Sequence, residues 1–154
     1  MRKGLLRQGF AADEVEAAFT AIEQHFGGTV EVVVSNAGVT RDGLLLRMGE
    51  DDFTSVVDAN LTGAFRIVKR ASRGMLKARS GRIVLVSSVV ALLGSAGQAN
   101  YAASKAGLVG FARSVARARR PAHMSRKVSD LQPLLALRRV RAQLGRCAGE
   151  DDLA

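Results

Sequence analysis

Two short apolar runs, Val30 to Val34 and Ile83 to Val86, most constrain what this chain can fold into. Apart from Glu31, both are unbroken and rich in β-branched residues rather than alternating, the pattern of strands covered on both faces of a parallel sheet. Helical periodicity surrounds them. Val15, Ala18, Phe19, Ile22 and Phe26 recur at helical spacing between Asp13 and Phe26, and Gly27-Gly28 supplies a stop. A second helix is expected from Asp51, a candidate cap, to about Arg79. Its inner side would carry Phe53, Val56, Val57, Leu61, Ala64, Phe65 and Val68, with Gly81 breaking it. A third, dense in Ala, Gly and Ser, is expected from Asn100 to about Arg117. Parallel strands require a crossover, so this order predicts an α/β fold with a doubly wound parallel sheet.

In such sheets ligands bind beyond the carboxyl ends of the strands. Asn36-Ala37-Gly38 follows the first strand, at the head of a loop running to about Gly49; Ser88 follows the second, before a small-residue loop from Val89 to Gly97. Asn-Ala-Gly alone reads equally as an ordinary turn, since Asn and Gly tolerate positive φ. Tyr101 and Lys105 stand four apart at the start of the third helix and share a face. A neighbouring ammonium favours a phenolate, so this pair predicts a tyrosine tuned to exchange a proton with an alcohol or alkoxide. A serine hydroxyl at a strand end could hold the same oxygen. That set suits carbonyl reduction or alcohol oxidation with hydride from a cofactor. Tyr-x-x-x-Lys by itself is common on exposed helices; the serine and the preceding strand give it weight. Asn60 sits mid-helix among Val56, Val57, Leu61 and Ala64, where a buried amide needs partners or costs about 1–3 kcal/mol. Its plainest reading is a satisfied core asparagine.

Taken together, Ser35-Asn36-Ala37-Gly38, Asn60 in Val57-Asp58-Ala59-Asn60-Leu61, Ser88, and Tyr101 with Lys105 resemble, in order, the marks of the short-chain dehydrogenase/reductase family. The resemblance covers about Ala12 to Arg117. The segments 36–42 and 97–105 are most similar to the 3-oxoacyl-(acyl-carrier-protein) reductases of fatty-acid synthesis. It implies an incomplete Rossmann-like doubly wound sheet and NADP(H) as cofactor, with NAD(H) left open. It implies that Asn60, Ser88, Tyr101 and Lys105 are catalytic. Tyr101 would protonate the keto oxygen, Ser88 position it, Lys105 lower the tyrosine pKa and hold the nicotinamide ribose, and Asn60 widen its helix and relay protons. Asn36, Ala37, Gly38, Asn60, Tyr101 and Lys105 would contact the cofactor. Arg79 stands where these reductases meet their acidic carrier protein, although a cation at a helix C-terminus explains it as well. The helices at about 51–79 and 100–117 would form a homo-oligomer interface.

The family also opens with a Thr-Gly-x-x-x-Gly-x-Gly turn that cradles the dinucleotide pyrophosphate, and no such pattern occurs here. The expectation is therefore a partial cofactor-binding domain over residues 1–117, with weak coenzyme binding and low activity. The alternative is a non-catalytic remnant that serves at most as a helix-mediated association module. Residues 118–154 form a divergent basic tail, read as frameshifted or disordered; other reading frames of the coding DNA would test that. The tail holds eight Lys/Arg against four Asp/Glu, giving +4 of the net charge of +9. Leu134 to Gly145 could be helical there.

Without a recognisable module or interleaved aromatics, this charge does not predict nucleic-acid binding. One cysteine, Cys147, excludes an internal disulfide and fits a reducing, cytoplasmic location. No apolar run approaches the length of a membrane span. His25 and His123 have no metal-ligand spacing with Cys147, so no metal is expected.

Overall fold

A computed structural model describes residues 11–118; Met1–Phe10, the expected helix at 134–145, His123 and Cys147 lie outside the described residues. Helix α1 spans Ala12–Phe26. The Glu14 carboxylate reaches back to the Ala11 N–H at 3.0 Å, satisfying one of the donors that a helix start leaves open. Gly27, at φ 66°, closes α1 in the left-handed conformation that glycine adopts without a Cβ penalty.

Strands β1 (Val32–Ser35) and β2 (Arg82–Leu85) pair in parallel, with Val33 opposite Ile83 and Ser35 opposite Leu85. One continuous helical path crosses between them: α2 (Glu50–Val57), a π turn (Asp58–Thr62) and α3 (Gly63–Ala78). Gly49, not Asp51, is the N-cap; Asp51 lies in the first turn with Glu50 and Asp52, where carboxylates face the positive helix end. Arg79, not Gly81, ends the path, with φ 52° and its N–H directed to the Leu76 and Met75 carbonyls. Gly81 instead allows the chain to press against the Met75 side chain, which a Cβ would strike. The expected loop after β2 contains one helical turn, α4 (Val90–Leu93), and α5 runs Ala99–Ala118. The architecture is an α/β, Rossmann-like fold with an incomplete parallel sheet.

Val15 and Phe19 of α1, Val33 of β1, and Ala71 and Met75 of α3 form the core, with Val30, Ile67 and Ile83 packed around it. Arg70 of α3 clamps α1 from above, 2.8 Å from Glu16 and 2.7 Å from Glu23, with its guanidinium over the Phe19 ring. This layer covers one face of the sheet. The other face presents Val32 and Val34, exposed at 59% and 62%, and no described element lies over them. The expectation that the first run is buried on both faces is therefore met on one face only. An apolar run encodes the need for cover, while the cover itself must come from a second layer.

Four further large apolar side chains expected in the core face outward. The α1 stripe is buried at Val15 and Phe19, but Ile22 and Phe26 are exposed. Phe53 and Phe65, placed inward by regular periodicity, are also exposed. They lie on opposite sides of the π turn, whose wider winding breaks the phase that links α2 positions to α3 positions. α5 lies close against this path. A Cβ on Gly107 would come within 2.7 Å of Leu61, and Phe111 meets Phe65 edge-on at 6.1 Å between centroids.

Candidate functional site

Asn60 occupies the π turn and is buried, at 1% exposure. Its amide pairs with the backbone of Val39 as a strand would. The Val39 N–H donates to Asn60 Oδ1 at 2.7 Å, and Asn60 Nδ2 donates to the Val39 carbonyl at 3.0 Å. The second Nδ2 proton goes to Ser104 Oγ, also at 3.0 Å. The asparagine is thus both a satisfied buried amide and the residue at the centre of a widened helical turn, two expectations that turn out to be compatible. Its position fastens the loop after β1 to the middle of the crossover.

Lys105 projects from the second turn of α5 into the gap between the two strand ends and is 3% exposed. Its ammonium donates to the Val86 carbonyl, just past β2, at 3.0 Å. Ser87 Oγ donates to the Lys105 carbonyl at 2.8 Å, so the residues after β2 hold the lysine from both ends. Burial pushes the Lys105 ammonium below the ordinary lysine value. Its Nζ lies 5.8 Å from the centre of the Tyr101 ring, which is half-buried. Gly38 completes the cluster: a Cβ there would sit 3.1 Å from Asn60 Oδ1 and 3.2 Å from Lys105 Nζ. A side chain at position 38 would crowd both groups, and glycine lets the loop backbone lie against them.

Gly38, Asn60, Tyr101 and Lys105 are therefore gathered at the carboxyl edge of the sheet. Asn36 and Ala37 lie on the same loop and are exposed. Ser88 lies two residues past Val86 and is half-buried, with its Oγ accepting the Val90 N–H at 3.3 Å at the start of α4. Arg79 stands apart, exposed at the far end of α3 beside Lys77.

Two buried residues of this network were not singled out by the sequence reading. Ser104 Oγ donates to the Tyr101 carbonyl at 2.8 Å while accepting from Asn60. Asn100 Oδ1 accepts the Tyr101 N–H at 2.7 Å, and its Nδ2 donates to the carbonyls of Arg41 and Asp52. The signal was present. Asn100, Ser104 and Lys105 place polar groups at helical spacing in an otherwise small and apolar helix, and buried polar groups must find partners. The loops after the two strands also meet directly: the Gly43 N–H donates to the Gly97 carbonyl at 2.8 Å and Gln98 Nε2 donates to Asp42 at 3.0 Å.

The arrangement offers a phenol beside a buried cation at the mouth of a parallel sheet, with hydroxyl and amide donors around it. Such a set can move a proton to or from an oxygen. The exposed Asn36-Ala37-Gly38 backbone, close to Lys105, is a suitable edge for the ribose half of a dinucleotide. Among the described residues no three His, Cys, Asp or Glu side chains gather into a metal site, and no helix is long and apolar enough to cross a membrane.

A sequence model of the short chain dehydrogenase family matches residues 10–131. The chain is 56% identical over 105 residues to the 3-oxoacyl-[acyl-carrier-protein] reductase MabA of Mycobacterium avium, covering 68% of this chain and 41% of that protein. It is 50% identical over 115 residues to the 3-oxoacyl-[acyl-carrier-protein] reductase FabG of Vibrio cholerae, covering 75% and 47%. The MabA of Mycobacterium tuberculosis is 55% identical over 106 residues, covering 69% and 42%. The chain spans less than half the length of these curated relatives. Family match, strand-end loops and gathered side chains agree: this chain belongs to the short-chain dehydrogenase/reductase family.

Proposed function

We propose that this chain carries the proton-transfer half of a 3-oxoacyl thioester reductase. One observation carries the reading: Lys105 is buried, hydrogen-bonded to Val86, within reach of the Tyr101 ring and closely approached by Gly38. The names of the relatives support the substrate class, a 3-oxoacyl group borne on acyl carrier protein.

A bound nicotinamide coenzyme, NADP(H) in preference to NAD(H), supplies the hydride. The Asn36-Ala37-Gly38 loop and Lys105 would hold its ribose half. On this reading Tyr101 gives its proton to the keto oxygen as negative charge develops there, and Ser88 donates to the same oxygen to orient it. The Lys105 ammonium stabilises the phenolate that remains. Asn60 keeps the π turn open beside Lys105 and links the site toward solvent for proton return.

Arg79 meets the acidic carrier. The α2–α3 path and α5 supply a homo-oligomer interface, where exposed Phe65 and half-buried Phe111 offer apolar surface. The cofactor-binding domain is assigned to residues 1–117, and its location to the cytoplasm.

The test is a coenzyme titration of the purified chain, followed by a thioester reduction assay and size-exclusion chromatography. Coenzyme binding with turnover of a 3-oxoacyl thioester supports the reductase. A folded oligomer without binding or turnover supports a helix-mediated association module, a reading that the exposed Phe65 beside Phe111 favours.

A further inference from the structure

Among the described residues of α5, Asn100 and Ser104 are the two wholly enclosed polar side chains, each 0% exposed. Asn100 makes three hydrogen bonds to backbone atoms in three places. Oδ1 accepts the Tyr101 N–H at 2.7 Å; Nδ2 donates to the Arg41 carbonyl at 2.8 Å and to the Asp52 carbonyl at 3.3 Å. The first bond fixes the opening turn of α5. The second reaches the loop after β1, and the third reaches the first turn of α2.

We propose that Asn100 is a positioning residue that locks Tyr101 to the loop carrying Asn36-Ala37-Gly38. The inference rests on the reading of Tyr101 as proton donor. The residue Tyr101 is held through its backbone at both ends: the N–H by Asn100, and the carbonyl by Ser104 Oγ at 2.8 Å. Ser104 in turn accepts from Asn60, which grips Val39 by both of its backbone polar atoms. Two buried asparagines from different helices thus hold the same stretch of loop, Asn60 at Val39 and Asn100 at Arg41. The salt bridge from Arg41 to Asp52 at 2.9 Å braces the same corner.

A core asparagine needs partners only to offset its own desolvation. Asn100 spends its three bonds on joining the residue that carries the phenol to the two elements facing it. Loss of this amide frees Tyr101 to shift against Gly38 and Lys105 without altering any reacting group. A misplacement of about 1 Å at a reacting centre can cost about 100-fold in rate.

The chain has one tyrosine and no tryptophan, so near-ultraviolet circular dichroism in the tyrosine band reports Tyr101 alone. The experiment compares the full-length parent with Asn100→Ala and Asn100→Ser. Serine keeps a capping oxygen for a helix-start N–H but lacks the second donor arm. Asn100→Ala is expected to keep its far-ultraviolet helical signal and lose most of the tyrosine band. Its kcat for a 3-oxoacyl thioester should fall about 10- to 100-fold with KM for coenzyme within about twofold. Asn100→Ser should fall between parent and Asn100→Ala. A parental tyrosine band and kcat in Asn100→Ala overturn the proposal. So does loss of the helical signal in both variants, which makes Asn100 structural alone. A parent without reductase activity refutes the proposed function instead, and the tyrosine band then decides on Asn100 by itself.

Discussion

Asn60 and Val39, on separate elements, exchange two hydrogen bonds of 2.7 and 3.0 Å, so a side-chain amide does the work of a neighbouring strand. Replacing Asn60 by Ala removes both and strips Ser104 of its donor. The expected loss is about 1–3 kcal/mol, because the amide leaves partners unsatisfied. Urea unfolding of the Asn60→Ala variant measures it. A change below about 0.5 kcal/mol, the range of featureless surface substitutions, would show that the loop does not depend on this pairing.

Lys105 carries a pH signature. Burial holds its ammonium below the ordinary lysine value of 10.5, so the folded chain releases that proton before the unfolded chain does. The unfolded state then binds more protons, and this group makes stability rise as pH climbs from the folded pKa toward 10.5. Lys105→Met should flatten the rise. Denaturation midpoints taken across the alkaline range for both proteins check this; an unchanged slope in the variant would assign it to another group.

Tyr101→Phe keeps the half-buried ring and removes only the hydroxyl. Both backbone anchors, from Asn100 and Ser104, stay in place. Folding should be nearly unchanged, while any reductase activity drops by about 10²–10⁴, the usual contribution of a general acid. Activity within about twofold of the parent would remove Tyr101 from the mechanism.

At the opposite side of the fold, the hydrogen bond from Arg70 holds the Glu23 carboxyl below its ordinary value of 4.5. The folded state therefore resists protonation at Glu23. Its contribution is present above the ordinary carboxylate range and is lost as pH falls through the folded value. Thermal midpoints followed from about pH 7 to about pH 3 should fall less steeply for Glu23→Gln than for the parent. Equal acid limbs would mean that the Arg70 clamp carries no titrating stability.

The elements that place the site were legible because they depend on local pattern. The apolar runs around Val33 and Ile83 announced the parallel pair, and helical spacing announced α1, the crossover and α5. That Gly38 and Ser88 share one edge followed from the strand order, while the arrival of Asn60 and Lys105 beside Gly38 was implied by the family resemblance alone. Other features depend on non-local partners. The exposure of Val32 and Val34 is set by what lies over the sheet, which an apolar run does not specify. Asn100 and Ser104 look like ordinary helix residues until Arg41, Asp52 and Asn60 are brought beside them. The outward rotation of Phe53 and Phe65 required knowledge of a turn wider than α, which periodicity averages away.

The π turn also has a genetic consequence. A regular α-helix advances about 100° per residue. The π turn winds more slowly, so its five residues sweep about the same angle as four α-helical ones, and removing a single codon within Asp58–Thr62 would let the path relax to regular α-helix with everything downstream still in phase. Ala71 and Met75 would stay on the sheet and the α2 segment against α5. The extra residue therefore serves the amide rather than the packing: a chain one residue shorter here would keep both cores and lose the widened backbone that seats Asn60 beside Val39 and Ser104.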